Sequence, residues 1–226
     1  MPLIELKDVR KVYNRNLPNE VVALRNINIE IAAGAMVCLQ GASGSGKSTL
    51  LSIIGCIFPP TSGRAAIAGR PLSRLPDRFM TIHRRQNIGF IFQQFNILPD
   101  LTVLENVGLP LMPLGVPPAE RREKAMSLLE MLEMGHRADF PARQISGGQL
   151  QRAAIARALI NDPPIILADE PTAHLDRELS LGFMKIMADL RQAGKTIILA
   201  SHDHLITEHP AVERIIGIED GRIHAA

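Results

Sequence analysis

One stretch restricts the available folds more than any other: GASGSGKST, Gly41 to Thr49. It follows directly on AMVCLQ (Ala35 to Gln40), which is nearly continuous in apolar character, as a strand covered on both faces is. After it, STLLSIIGCI (Ser48 to Ile57) has helical length and spacing, and PPTSG (Pro59 to Gly63) ends that helix. A glycine-rich turn between a buried strand and a helix fits the phosphate-binding loop pattern. The glycines let backbone N–H groups turn inward around a phosphate without Cβ clashes, and the helix N-terminus adds partial positive charge. Lys47 is predicted to reach the β- and γ-phosphates of a nucleotide and Ser48 to hold Mg²⁺. Gly41, Ala42, Ser43, Gly44, Ser45, Gly46 and Thr49 complete the cradle.

The rest of the chain supplies strands and helices in alternation. LIELKDV (Leu3 to Val9) and VVALRNINIEI (Val21 to Ile31) alternate apolar and polar residues as half-buried strands do, and weaker strands follow at Ala65 to Ala68 and Asn87 to Phe92. From Pro99 to Ile145 the character changes. Prolines 99, 110, 113, 117 and 118 divide the segment, and an amphipathic helix from Ala119 to Met134 turns Ala125, Leu128, Leu129 and Leu132 inward. The α/β pattern then resumes: a helix from Gln149 to Ile160, a strand from Pro164 to Asp169, a helix from Asp176 to Gln192 and a strand from Lys195 to Ser201. A short helix and IIGIEDGRI follow, whose Asp220-Gly221 pair signals a hairpin. This order predicts an α/β chain with a mainly parallel sheet, helices on both its faces, and a helical insertion forming a second lobe.

Composition agrees with one folded unit. With 226 residues, 46% of them hydrophobic, the chain has ample material for a core, and 21% charged residues at net +2 are a soluble balance. A disordered chain, a collagen-like repeat and a small disulfide scaffold are excluded. Charges of both signs are interspersed without a dense Lys/Arg block, so nucleic acid is not an expected partner. Cys38 and Cys56 each stand among apolar neighbours and read as buried small hydrophobes. Glu5 and Asp8 interrupt the N-terminus before any apolar signal region develops. The uncharged stretch from Ser48 to Gly63 is short for a bilayer span and contains Pro59 and Pro60.

Two further segments carry chemistry. A phosphate-binding loop needs a carboxylate for its metal at the end of a nearby buried strand, and PIILADE offers Asp169 for Mg²⁺ and Glu170 to orient and deprotonate an attacking water. Taken alone, such a pair is also compatible with a solvated turn or a helix N-cap, the lesser alternative. ISGGQ places Ser146, Gly147, Gly148 and Gln149 immediately before a helix-favouring run, where exposed N–H groups, a small hydroxyl and a helix dipole make a second anion site or an ordinary helix cap. If it is an anion site, either both helix ends grip one nucleotide, or the second reaches a nucleotide held by another copy.

ISGGQ, with the phosphate loop before it and ILADEPTAHLD (Ile166 to Asp176) behind it, resembles the signature arrangement of ATP-binding cassette (ABC) proteins. The similarity runs from about Leu3 to Ala225, with Ile145 in place of the usual Leu and Ala173-His174 in a stretch where the family varies. The resemblance implies a P-loop NTPase fold. Residues 1–98 and 146–226 would form a RecA-like core with an N-terminal antiparallel β subdomain, and residues 99–145 an α-helical subdomain, within one domain spanning 1–226. It implies ATP and Mg²⁺ as cofactors and ATP hydrolysis as the activity. Tyr13 matches the aromatic that stacks on adenine, and Gln93, rather than the neighbouring Gln94, the glutamine that contacts Mg²⁺ and water. His202 matches the histidine that senses the γ-phosphate, and Asp176 the residue that communicates across a dimer. By the same resemblance Ser146, Gly147, Gly148 and Gln149 act in trans on ATP held by a second copy in a head-to-tail dimer.

RRQNIGFIFQQFNILPDLTVLENVGLPL (Arg84 to Leu111) is most similar to ATPases of the lipoprotein-release and macrolide-export type. These pair with an integral membrane permease from the cytoplasmic face of the inner membrane. Phe92, Phe95, Ile97 and Leu98 lie where such subunits receive a short helix of that partner, or are ordinary core. Soluble ABC ATPases acting on DNA or ribosomes are the rival class. They carry paired cassettes or long coiled-coil insertions, and neither feature is present here. The chain ends soon after GRIHAA, from which no appended membrane or regulatory domain is expected.

Overall fold

The computed structural model describes residues 2–73, 75–173 and 175–224. The apolar run before the phosphate loop becomes strand β3 (Met36–Gln40), after β1 (Ile4–Tyr13) and β2 (Val21–Ile31). Helix α1 (Lys47–Ile54) leads to β4 (Ser62–Ile67) and β5 (Arg70–Pro71), then α2 (Asp77–Asn87) and β6 (Ile88–Ile91). The middle is helical, with α3 (Val103–Gly108), a 3₁₀ segment Leu109–Leu114, α4 (Pro118–Met131) and two single 3₁₀ turns. Then come α5 (Gly147–Leu159), β7 (Ile165–Asp169), α6 (Arg177–Gln192), β8 (Thr196–Ala200), α7 (His204–Thr207), β9 (Arg214–Glu219) and β10 (Arg222–His224).

A six-stranded sheet ordered β10-β9-β3-β8-β7-β6 is parallel except where β10 returns against β9 through the Asp220-Gly221 turn. The N-terminal strands form a separate antiparallel sheet ordered β2-β1-β4-β5. Period-two alternation divides the central strands between two cores. Met36 and Cys38 face one core with Ile166, Ala168, Ile197 and Leu199, together with α5, α6 and the helical region. Val37 and Leu39 face the other with Ile165, Leu167, Ile198 and Ala200, together with α1 and the antiparallel sheet. Burial on both faces is why β3, β7 and β8 read as unbroken apolar runs. Cys38 and Cys56 are fully buried free thiols, one in each core.

Several elements differ from the sequence expectation: α4 ends at Met131 rather than Met134, and α3 and β5 were not anticipated. The helix after the phosphate loop stops at Ile54 rather than Ile57, because Cys56 adopts a left-handed φ of 53° and reverses the chain, its carbonyl accepting from the Arg84 guanidinium. Helix α2 was not expected from the sequence, because it is short and rich in charge, and Phe79 and Ile82 on its apolar side stay exposed. Of its residues only Met80 and His83 are buried.

Candidate functional site

The turn from β3 into α1 is tight because Gly46 caps the helix at φ 112°, a conformation that side-chain-bearing residues avoid. Ser43, Gly44, Gly46, Lys47, Ser48 and Thr49 line a cavity of about 660 Å³, and Gln93, Glu170 and His202 complete it from the other side. Four loops from different parts of the chain therefore converge where the strands of a parallel sheet end, which is where such folds bind ligands. Val22, Ala23, Arg25, Asp220 and Arg222 also line the cavity and were not anticipated. The hairpin signal at Asp220-Gly221 marked a turn, but nothing local indicated that the turn lands on the phosphate loop. There the Gly221 N–H donates to the Ser45 carbonyl at 2.9 Å, and the Gly221 carbonyl accepts from the Arg25 N–H at 2.7 Å.

Lys47 is 5% exposed, and its ammonium donates to the carbonyls of Gly41 (2.7 Å) and Ala42 (3.1 Å). A Glu170 carboxylate oxygen stands 3.2 Å from the same nitrogen, and the other accepts from the His202 ring at 3.1 Å. Glu170 thus joins the lysine to the histidine. Its backbone is left-handed, at φ 43°, directly after the buried strand β7. A non-glycine residue held there costs of order 1–3 kcal/mol and persists only where its surroundings fix it. Here the Glu170 N–H donates to the Ala200 carbonyl at 2.8 Å, and Thr172 donates to the Asp203 carboxylate at 2.9 Å, binding the segment after β7 to the segment after β8.

Ser48 donates from its hydroxyl to Asp169 Oδ1 at 3.0 Å. Burial raises the Asp169 carboxyl above its ordinary range, and the Glu170 charge adds to that, while the Ser48 hydrogen bond and Lys47 oppose it. A hydroxyl and a carboxylate oxygen in contact are hard oxygen donors of the kind Mg²⁺ takes, so the residues present fit that ion. The Ser45 hydroxyl, inside the loop, is buried without a partner.

Other expected residues stand apart from this cavity. Tyr13 is not among its lining residues. Its hydroxyl is 3.4 Å from Thr49 Oγ1 and its ring meets Phe58 edge-on, at a centroid distance of 5.9 Å. Ser146 caps α5 in a capping box, accepting from the Gln149 N–H while its own N–H donates to the Gln149 side chain. Asp176 caps α6 by accepting from the Leu179 N–H at 2.9 Å, and the Leu179 side chain lies against Gly148. The Ser146 turn and the Asp176 turn are thus neighbours, and neither lines this cavity. His174 lies outside the described residues.

The family model for the ABC transporter matches residues 24–173. The chain belongs to the ABC transporter family. An uncharacterized ABC transporter ATP-binding protein of Thermotoga maritima is 45% identical over 222 residues, covering 98% of this chain and 93% of the relative. The macrolide export ATP-binding/permease protein MacB of Hyphomonas neptunium is also 45% identical over 222 residues, but this ABC chain spans only 34% of its length. Among solved structures, the dimeric ATP-binding cassette MJ0796 in a post-hydrolysis state, bound to ADP and Pi, superposes with a TM-score of 0.89 at 44% identity. That match covers 98% of this chain and 97% of that one. The fold is the P-loop NTPase fold of ABC cassettes, and the chain is an ABC ATPase whose cofactors are ATP and Mg²⁺. No helix among the described residues is long and apolar enough to cross a membrane.

Proposed function

We propose that two copies of this chain close head to tail around two ATP molecules and drive a membrane permease at the cytoplasmic face of the inner membrane, in lipoprotein release or macrolide- or peptide-type export. The observation that carries this reading is a division of labour. Lys47, Gln93, Glu170 and His202 meet at one cavity, while the helix start at Ser146 to Gly148, equally suited to a phosphate, faces elsewhere. One chain alone leaves that second anion site without a nucleotide. The dimeric MJ0796 cassette and the MacB relatives support the dimer and the export partner respectively.

In this reading Lys47 and the loop from Gly41 to Thr49 hold the β- and γ-phosphates. Ser48, Gln93 and Asp169 hold Mg²⁺, which supplies charge neutralisation for the transferring phosphoryl group. Glu170 accepts the proton of the attacking water, and His202, bonded to it at 3.1 Å, fixes its orientation and faces the γ-phosphate. Tyr13, anchored on Thr49 and Phe58, takes the adenine face. Ser146, Gly147, Gly148 and Gln149 reach the γ-phosphate of the other copy, with Asp176 beside them relaying between the subunits. Residues 99–145 act as the helical subdomain on a core of 1–98 and 146–226, and Phe92, Phe95, Ile97 and Leu98 receive the permease. Loss of the γ-phosphate removes the contacts that join the copies, and the dimer opens.

The substitution Glu170→Gln tests this. It should retain ATP binding, lower turnover by roughly 10²- to 10⁴-fold, the usual share of a general base, and trap an ATP-dependent dimer on gel filtration. Normal turnover in that variant removes Glu170 from its role. Ser146→Arg should abolish the trapped dimer while single-site ATP binding survives, and an unchanged dimer removes the trans contact.

A further inference from the structure

Helix α5, which begins at the signature turn, reaches with two side chains to the loops that bring Gln93 and Glu170 to the cavity. Gln151, 3% exposed, donates to the Pro171 carbonyl at 3.0 Å, one residue beyond Glu170. Arg157, further along the same helix, donates through its two terminal nitrogens to the main-chain carbonyls of Phe95 and Asn96. Both of those residues are left-handed, with φ of 56° and 49°, so the chain turns sharply just after Gln93 and Gln94. The far end of that loop is held by Asn106 of α3, which is fully buried, accepts from the Leu98 N–H at 2.8 Å and donates to the Leu98 carbonyl at 2.9 Å. The segment is fixed at two points, while Gln93 itself is exposed to the cavity.

Consecutive left-handed residues are not a resting conformation of Phe and Asn. What holds them is a guanidinium whose planar fork matches two adjacent carbonyls, a geometry that an ammonium cannot reproduce. Arg157 is half-buried and, among the described residues, has no carboxylate in its hydrogen bonds, so its charge is satisfied by the backbone of this turn. An arginine serving only solubility would reach solvent or an acidic partner.

We propose that Arg157 is a positioning residue for Gln93. It makes the signature helix and the Gln93 loop one mechanical unit, so that displacement of the helix start is carried to the glutamine facing the nucleotide. The inference rests on the role assigned to Gln93 above.

The test compares Arg157→Lys and Arg157→Gln with Gln93→Ala and with the double variant Arg157→Gln/Gln93→Ala, all in the full chain. ATP affinity, turnover at saturating ATP, the Mg²⁺ dependence of turnover and the melting temperature are measured for each. Both Arg157 variants should fold and bind ATP within about twofold of the parent, yet lose roughly ten- to hundredfold in turnover, as a misplaced group does. Their half-saturating Mg²⁺ concentration should rise. The double variant should be no slower than Gln93→Ala alone, because both act through one interaction. A further variant, Arg157→Ala, is made for chemical rescue, and added guanidinium should restore part of its turnover. Unchanged turnover and Mg²⁺ dependence in the Arg157 variants, beside an impaired Gln93→Ala, overturn the inference and leave the role of Gln93 standing. An unimpaired Gln93→Ala overturns that role instead. Loss of folding in both Arg157→Lys and Arg157→Gln, or a parallel loss of ATP affinity, assigns Arg157 to packing and also overturns the proposal.

Discussion

A carboxylate kept out of water raises the energy of the folded chain whenever it is ionised. Asp169 is in that position, because burial raises its carboxyl above the usual range and the Ser48 hydroxyl offsets only part of the penalty. Since the folded chain binds the proton more tightly than the unfolded one, the ionised group costs stability at neutral pH, and that cost fades as pH falls through the raised folded value and is gone below the ordinary carboxylate value. Asp169→Asn should therefore melt higher than the parent at neutral pH in EDTA without nucleotide, by roughly 0.5–2 kcal/mol, a usual gain when a functional group is neutralised. The advantage should shrink as pH falls and vanish towards about pH 3, below the ordinary aspartate value of about 3.9, where aspartate is protonated in both states. Mg²⁺-dependent turnover should be lost in the same variant. Placement was legible where residues lay beside a strand end: Lys47, Glu170 and His202 line one cavity, and Asp169 meets Ser48 at its edge. Arg157 was not legible: on a helix it reads as a surface charge, and its partners Phe95 and Asn96 are distant in sequence. Nor could sequence place Tyr13 relative to the cavity, since Phe58 and Thr49 decide where its ring lies.

Elements hold their places here through caps and a few buried polar bonds. Thr102 and Glu105 close a capping box at the start of α3, and Asn106, on the same helix, ties down Leu98. Thr102→Ala should lower the unfolding free energy by about 1 kcal/mol, seen as a lower urea midpoint with ATP affinity unaltered. His83 joins α2 to β4, with Nε2 2.8 Å from the Ile67 carbonyl and Nδ1 3.2 Å from the Asn87 amide nitrogen. The neutral ring donates at the first contact and accepts at the second. Burial lowers the His83 pKa below its ordinary value, the Ile67 carbonyl opposes this, and Arg70 adds to it. The unfolded chain therefore takes up the proton first, and stability present above the ordinary histidine pKa is lost as pH falls through the folded value. Between about pH 8 and pH 5 the parent should lose more of its melting temperature than His83→Gln, and equal losses would remove His83 from that role. Helix α2 escaped the sequence reading because it is short and strongly charged, with Phe79 and Ile82 exposed and only Met80 and His83 buried. In α4, Ala125 and Leu129, two of the residues the sequence turned inward, are fully buried.

At the scale of the whole molecule, the architecture was legible because β3, β7 and β8 are buried on both faces and leave apolar runs that nothing else explains. How the antiparallel sheet, the phosphate loop and the C-terminal hairpin meet was not legible, since it depends on backbone contacts without side-chain signatures. Gly221 sits at that junction with φ 71°, and a Cβ there would lie 2.5 Å from the Ala23 carbonyl oxygen. Gly221→Ala should force the hairpin off β2 and cost about 1–3 kcal/mol. Because its N–H holds Ser45, ATP affinity should fall by up to about tenfold, close to 1.4 kcal/mol. Calorimetric titration beside thermal melts checks both. The two interior cysteines carry a practical consequence. Burial pushes the thiols of Cys38 and Cys56 up to about 12, so neither supplies a reactive thiolate at neutral pH. A maleimide fluorophore offered to the native polypeptide should find no target until one is engineered. Ser146→Cys could then be labelled in an otherwise unaltered background, and energy transfer between donor and acceptor dyes on separate copies would follow their approach as the triphosphate is added.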